Sequence, residues 1–169
     1  MPALLPLVLL AVTAAAPAST DIVRHPNPAA PIILGGVTLP PGAELLMLSG
    51  QVPSPIDPAK ANTLEDFGDT KTQTLNVLSK IKAQLTELGY SMSDVVKLTV
   101  FVVGDPRLGG KMDFAGFNDG YKMFFGTAEN PNLVARSTVQ IAALANPNWL
   151  IEIEATAARL PKATSGKKK

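Results

Sequence analysis

Ten consecutive residues from Asp94 to Val103, DVVKLTVFVV, are apolar and β-branched almost throughout. Such a run suits a strand covered on both faces. Upstream, Leu75, Leu78, Ile81, Leu85 and Leu88 recur every three or four residues, with Asp69 placed to cap a helix and Gly89 to end it. Downstream, Phe114, Phe117, Tyr121 and Phe124 mark a second helix, begun by Asp113 and stopped near Gly126. That aromatic stripe is expected in the core. Leu45–Val52 is a buried-strand candidate ending in Ser49-Gly50-Gln51. Val134–Leu144 and Trp149–Ala158 alternate on either side of Asn146-Pro147-Asn148, which predicts a hairpin. Trp149 itself is expected in a sheet or interface core. The order β, α, β, α, β, β predicts an α+β fold, with two helices on one face of a mixed sheet. The other face then needs a partner, and self-association is the economical one.

The 169 residues, 46% of them hydrophobic, suit one globular domain. We place it at residues 42–160. Ser19–Pro41 precedes it as an extended, Pro-rich lead-in with at most one short edge strand, and 161–169 follow as a basic tail. Pro53–Gly68 is a polar loop long enough to invite a functional or interface role. Met1–Ala18 carries no charged side chain, holds the apolar run Leu4–Leu10, and ends in Ala16-Pro17-Ala18. It reads as a secretory signal cleaved after Ala18, so a periplasmic or secreted protein without stable membrane association is expected. The chain contains no cysteine, so its stability is expected to come from packing or oligomerisation. With the solvated run Lys167–Lys169 set aside, 12 basic and 14 acidic residues remain. That balance offers no electrostatic footprint for nucleic acid.

Several chemistries fail on residue type. His25 is the single histidine and sits in the lead-in, and no carboxylate cluster has metal-ligand spacing. There is no G-x-S-x-G, and neither Gly35-Gly36 nor Gly109-Gly110 is followed by the Lys-Ser of a phosphate loop. What remains is charge on strands. By period two, Arg136, Thr138 and Gln140 share one face and Ser137, Val139 and Ile141 the other, while Glu152 and Glu154 share a face opposite Ile151 and Ile153. Pattern alone is equally compatible with a solvated sheet face.

Five segments, Leu48-Ser49-Gly50-Gln51-Val52, Ser93–Phe101, Phe117-Asn118-Asp119-Gly120-Tyr121, Ala135-Arg136-Ser137 and Ile151-Glu152-Ile153-Glu154-Ala155, occur in the order seen in the Rid family (YjgF/RidA, the reactive intermediate deaminases). The resemblance spans about Pro26 to Leu160. It implies a chorismate-mutase-like α+β fold and homotrimers whose sheets form a central barrel with ligand clefts between subunits. It further implies cofactor-free hydrolysis of imines or enamines of amino acids to 2-oxo acids and ammonia. By position, Arg136 matches the carboxylate-binding arginine and Glu152 the glutamate that helps hold the attacking water. Thr138, Ser49, Gly50 and Asn118 match positions that contact ligand or line the cleft. Where many deaminase-active members carry a Tyr after Gly-Pro, this chain has Pro31-Ile32-Ile33-Leu34.

Closing a hairpin at Asn146–Asn148 would offset Arg136 and Glu152 by about five residues, on the order of 15 Å at ~3.3 Å per residue. The two are therefore expected to meet only across subunits, unless a bulge corrects the register. The expected function is that of an exported imine/enamine deaminase. A non-catalytic organic-acid binder using the same cleft is the alternative, and the acidic body counts against a ribonuclease or translation inhibitor.

Overall fold

The computed structural model describes residues 19–161. The expected signal, 1–18, and the lysine run of the tail lie outside them. Among the described residues the strands are β1 (Val23–Pro26), β2 (Leu34–Thr38), β3 (Glu44–Gln51), β4 (Val95–Val103), β5 (Ala135–Ile141) and β6 (Ile151–Arg159). The helices are α1 (Thr70–Glu87) and α2 (Phe114–Tyr121). The strands form one mixed sheet in the order β1-β2-β5-β4-β6-β3.

Each helix forms where its punctuation allows. Asp69 caps α1, its Oδ1 accepting from the Thr72 N–H at 2.8 Å. Just beyond the C-terminus, Gly89 takes a φ of +76°, which a side chain would resist. Asp113 caps α2 in the same way through the Gly116 N–H. The second helix closes at Tyr121, short of the expected stop near Gly126. Val77, Leu78, Ile81 and Leu85 of α1 and Phe117 and Tyr121 of α2 pack onto Leu98, Val100 and Val102 of β4, all fully buried. Both helices lie on the same face, as the element order predicts.

Two expectations are corrected. β5 and β6 do not form a hairpin: β4 lies between them, parallel to β5 and antiparallel to β6. A turn signal marks a reversal but not which edge the chain returns to, and the nine-residue β4 has an edge for each. The lead-in holds two strands rather than at most one, because Val23 to His25 is free of proline and pairs with Gly36 to Thr38. Pro26 ends that pairing at the sheet's outer edge, where its missing N–H is harmless. As two helices on a single face predict, β4 and β3 are covered on one face only within the single chain. Lys97, Thr99, Phe101 and Val103 of β4 remain half-exposed on the side away from the helices. On β3, Leu48 is buried, whereas Leu45 is 46% and Met47 75% exposed.

Candidate functional site

Register decides which way the charged strand residues point. Arg136 lies opposite Leu98, and Thr138 opposite Val100. Cross-strand partners share a face, and Leu98 and Val100 are buried beneath the helices. Arg136 and Thr138 therefore face the helical layer rather than open solvent.

Helix α2 closes over the arginine. Phe114, Phe117, Asn118 and Tyr121 stand at the i, i+3, i+4 and i+7 positions of one helical face. Nη2 of Arg136 donates to Oδ1 of Asn118 at 2.9 Å. The guanidinium carbon lies 4.6 Å from the centroid of the Tyr121 ring, 4.8 Å from that of Phe117 and 5.8 Å from that of Phe114. Rings at these distances favour a cation, and they hold the guanidinium plane in place. The stripe read as core does pack the core at Phe117 and Tyr121, but it also cradles the arginine, which period-3.6 reasoning alone does not reveal. Phe114, 43% exposed, marks where the cover thins.

Among the described residues no carboxylate forms an ion pair with Arg136. Its Nη1 is buried without a hydrogen-bond partner, and so is Oγ1 of Thr138, two residues along the same face. Burial lowers the Arg136 pKa from its ordinary value. A buried, unpaired charge and an orphaned hydroxyl both cost stability, so the arrangement is suited to a ligand that supplies the missing partners. A carboxylate fits the planar fork of a guanidinium with charge-assisted hydrogen bonds.

Glu152 points the other way. It lies opposite Phe101 of β4, which in turn faces Val139 of β5. It thus stands on the open face, three residues along the strands from the Arg136 row, with β4 between the two. The five-residue offset expected from a hairpin does not hold, but a single chain still does not bring Arg136 and Glu152 together, because the sheet separates them. Ser49 and Gly50 lie where the β3–β6 pairing is interrupted, between Leu48 and Gln51. A side chain at Gly50 would overlap the Glu152 carboxylate, so glycine there lets the acid lie against the β3 backbone. The sequence-predicted residues therefore form two half-sites: Arg136, Thr138 and Asn118 beneath α2, and Ser49, Gly50 and Glu152 on the far side of β4. Among the described residues no three His, Cys, Asp or Glu side chains gather where they could hold a metal ion, and no helix is long and apolar enough to cross a membrane.

The family model described as endoribonuclease L-PSP matches residues 41–159, a span that includes both half-sites. The chain belongs to that family, the Rid (YjgF/RidA) family. A conserved Rid family protein from Yersinia pestis is 27% identical and aligns with a TM-score of 0.58, over 76% of this chain and 87% of that one. Escherichia coli TdcF, solved with bound serine, is 33% identical with a TM-score of 0.54, over 80% of this chain and 94% of that one. The 2-iminobutanoate/2-iminopropanoate deaminase of Salmonella typhimurium is 36% identical over 115 residues, which are 68% of this chain and 80% of that enzyme. The α+β architecture expected from the sequence is thus that of the Rid proteins, a mixed sheet backed by two helices.

Proposed function

We propose that this Rid protein is an exported, homotrimeric deaminase that hydrolyses imine or enamine intermediates of amino acids to 2-oxo acids and ammonia. The observation that carries the reading is the partly buried guanidinium of Arg136, whose buried Nη1, like the neighbouring Thr138 hydroxyl, has no partner. The substrate carboxylate completes that fork. The similarity to a 2-iminobutanoate/2-iminopropanoate deaminase and to a protein that binds serine, itself a carboxylate, supports the choice of ligand.

The chemistry asks little more of the protein. An imine carbon is already electrophilic, so hydrolysis needs an oriented water and a group to move its proton. In the proposed trimer the open face of one subunit brings Glu152, lying against Gly50, to the Arg136 side of its neighbour. Water adds to the C=N carbon as the Glu152 carboxylate takes a proton from it. That proton passes to nitrogen to give the carbinolamine; Glu152 then relays the hydroxyl proton to nitrogen as the C=O forms and the C–N bond breaks, so ammonia leaves with a 2-oxo acid as the other product. The step balances with water as the sole co-reactant.

The test is imine turnover by purified protein, with imino acid generated in the assay by an amino-acid oxidase. Wild type is expected to accelerate 2-oxo acid release, and Arg136→Ala to abolish the acceleration. Unchanged hydrolysis by Arg136→Ala overturns the mechanism. N-terminal sequencing of protein recovered from outside the cytoplasm checks export, with Ser19 expected as the first residue and an intact Met1 refuting it. A second reading, a non-catalytic organic-acid binder, is favoured by the sequence Pro31-Ile32-Ile33-Leu34 where many active members carry a Tyr. Saturable 2-oxo acid binding that depends on Arg136, with no imine turned over, would establish it instead.

A further inference from the structure

Gln140 is the third residue on the ligand-facing side of β5, after Arg136 and Thr138, and both ends of its amide are engaged. Its Nε2 donates to the Gly110 carbonyl at 2.9 Å, and its Oε1 accepts from the Met112 N–H at 2.9 Å. These are the backbone groups that lead directly into α2, which Asp113 caps and Phe114 begins. The connection is itself closed and stiff. Asp105 and Lys111 pair across it, and the Gly110 N–H returns to the Asp105 carbonyl at 3.0 Å. At Gly104 a side chain would collide with the Gly110 carbonyl. Arg107 clamps Asp105 with an ion pair of 2.7 Å.

The connection therefore behaves as one body, and the Gln140 amide ties it to the strand that carries the arginine. The hydrogen-bond partner of the Arg136 guanidinium, Asn118, and the rings against it, Phe114, Phe117 and Tyr121, all lie on the helix entered through Met112. A helix of eight residues has little to set its position besides its packed face and its point of entry. We propose that Gln140 is a positioning residue for the carboxylate site: it fixes the entry of α2 against β5 and so holds Asn118 and Phe114 at the distance that seats Arg136. This deepens the reading of Arg136 as the anion anchor and rests on it.

The experiment measures binding rather than turnover, so that it does not depend on catalysis. Isothermal calorimetry of pyruvate on full-length wild type, Gln140→Leu, Asn118→Ala and the double variant gives the affinities. Thermal unfolding of each, without ligand, reports folding separately. Gln140→Leu is expected to weaken binding about tenfold, equivalent to about 1.4 kcal/mol, with the fold intact. If the effect runs through α2, the double variant loses much less than the product of the two single losses, because a displaced helix no longer carries Asn118. Gln140→Glu supplies a second readout. Ionised, it accepts from Met112 but cannot donate to Gly110. Once protonated near its ordinary pKa of about 4.3 it can do both, so its affinity should recover relative to wild type as pH falls through that range. Wild-type affinity in Gln140→Leu, or fully multiplicative losses in the double variant, overturns the positioning role. Absence of pyruvate binding by wild type as well as by every variant overturns the anion-anchor reading, and this inference with it.

Discussion

Arg136 is the residue at which stability and function diverge. Its guanidinium gains one hydrogen bond and three aromatic neighbours, yet gives up hydration with no counter-ion among the described residues. Replacing such a buried charge by an apolar group of similar volume is often neutral or stabilising. Arg136→Met is therefore expected to leave the ligand-free Tm unchanged or raise it by up to about 3 °C, on the scale where ~1 kcal/mol moves a domain of this size by a few degrees. The same variant should lose 2-oxo acid binding. Differential scanning fluorimetry with and without pyruvate reads both, and a clear fall in the ligand-free Tm would show that the guanidinium serves the fold rather than a ligand.

At the scale of elements, Gln73 of α1 joins the helical layer to the start of β6. It is fully buried, and its Oε1 accepts from the Leu150 N–H at 2.7 Å while its Nε2 reaches the Asn148 carbonyl at 3.1 Å. One side chain thereby fixes α1 to the turn that launches β6, the strand bearing Glu152. Gln73→Leu fills the space but leaves a buried backbone N–H without an acceptor, which costs about 1–3 kcal/mol, and removes the amide donor from the Asn148 carbonyl. Loss of about 2–3 kcal/mol in urea unfolding at unchanged m-value is expected. A change below about 0.5 kcal/mol would show that water replaces the amide without penalty. The Asn146-Pro147-Asn148 segment thus acts as a docking point for α1 and not as the tip of a hairpin.

On the scale of the whole molecule, the sheet has one finished face and one open face. Leu45, Met47 and Val139 are 46%, 75% and 45% exposed on the open side, and Glu152 shares that side. The proposed trimer covers this surface and joins the two half-sites that a single chain keeps apart. That arrangement has a signature no monomeric site can produce. Arg136→Ala and Glu152→Ala, each inactive alone, should regain a fraction of wild-type imine hydrolysis when co-refolded, because some mixed interfaces carry both native residues. Activity that stays absent in mixtures shown by light scattering to be hetero-oligomeric would refute the shared site.

Much of this was legible in the amino-acid order, because local periodicity and capping act over a few residues. The helices begun at Thr70 and Phe114, their caps Asp69 and Asp113, the β4 core strand and the placing of Arg136 with Thr138 on one face all follow from spacing, although α2 ends at Tyr121, before the expected stop. Strand order did not follow. Which edge receives β6 depends on competition between long-range pairings, and the Asn-Pro-Asn turn carries no information about the partner. For the same reason the separation of Glu152 from Arg136 could be expected but not correctly derived, since their opposite faces emerge only when β4 is inserted between their strands. The aromatic cradle and the Gln140 tie depend on how a helix lands on a sheet, a matter of three-dimensional packing that no period in the chain records.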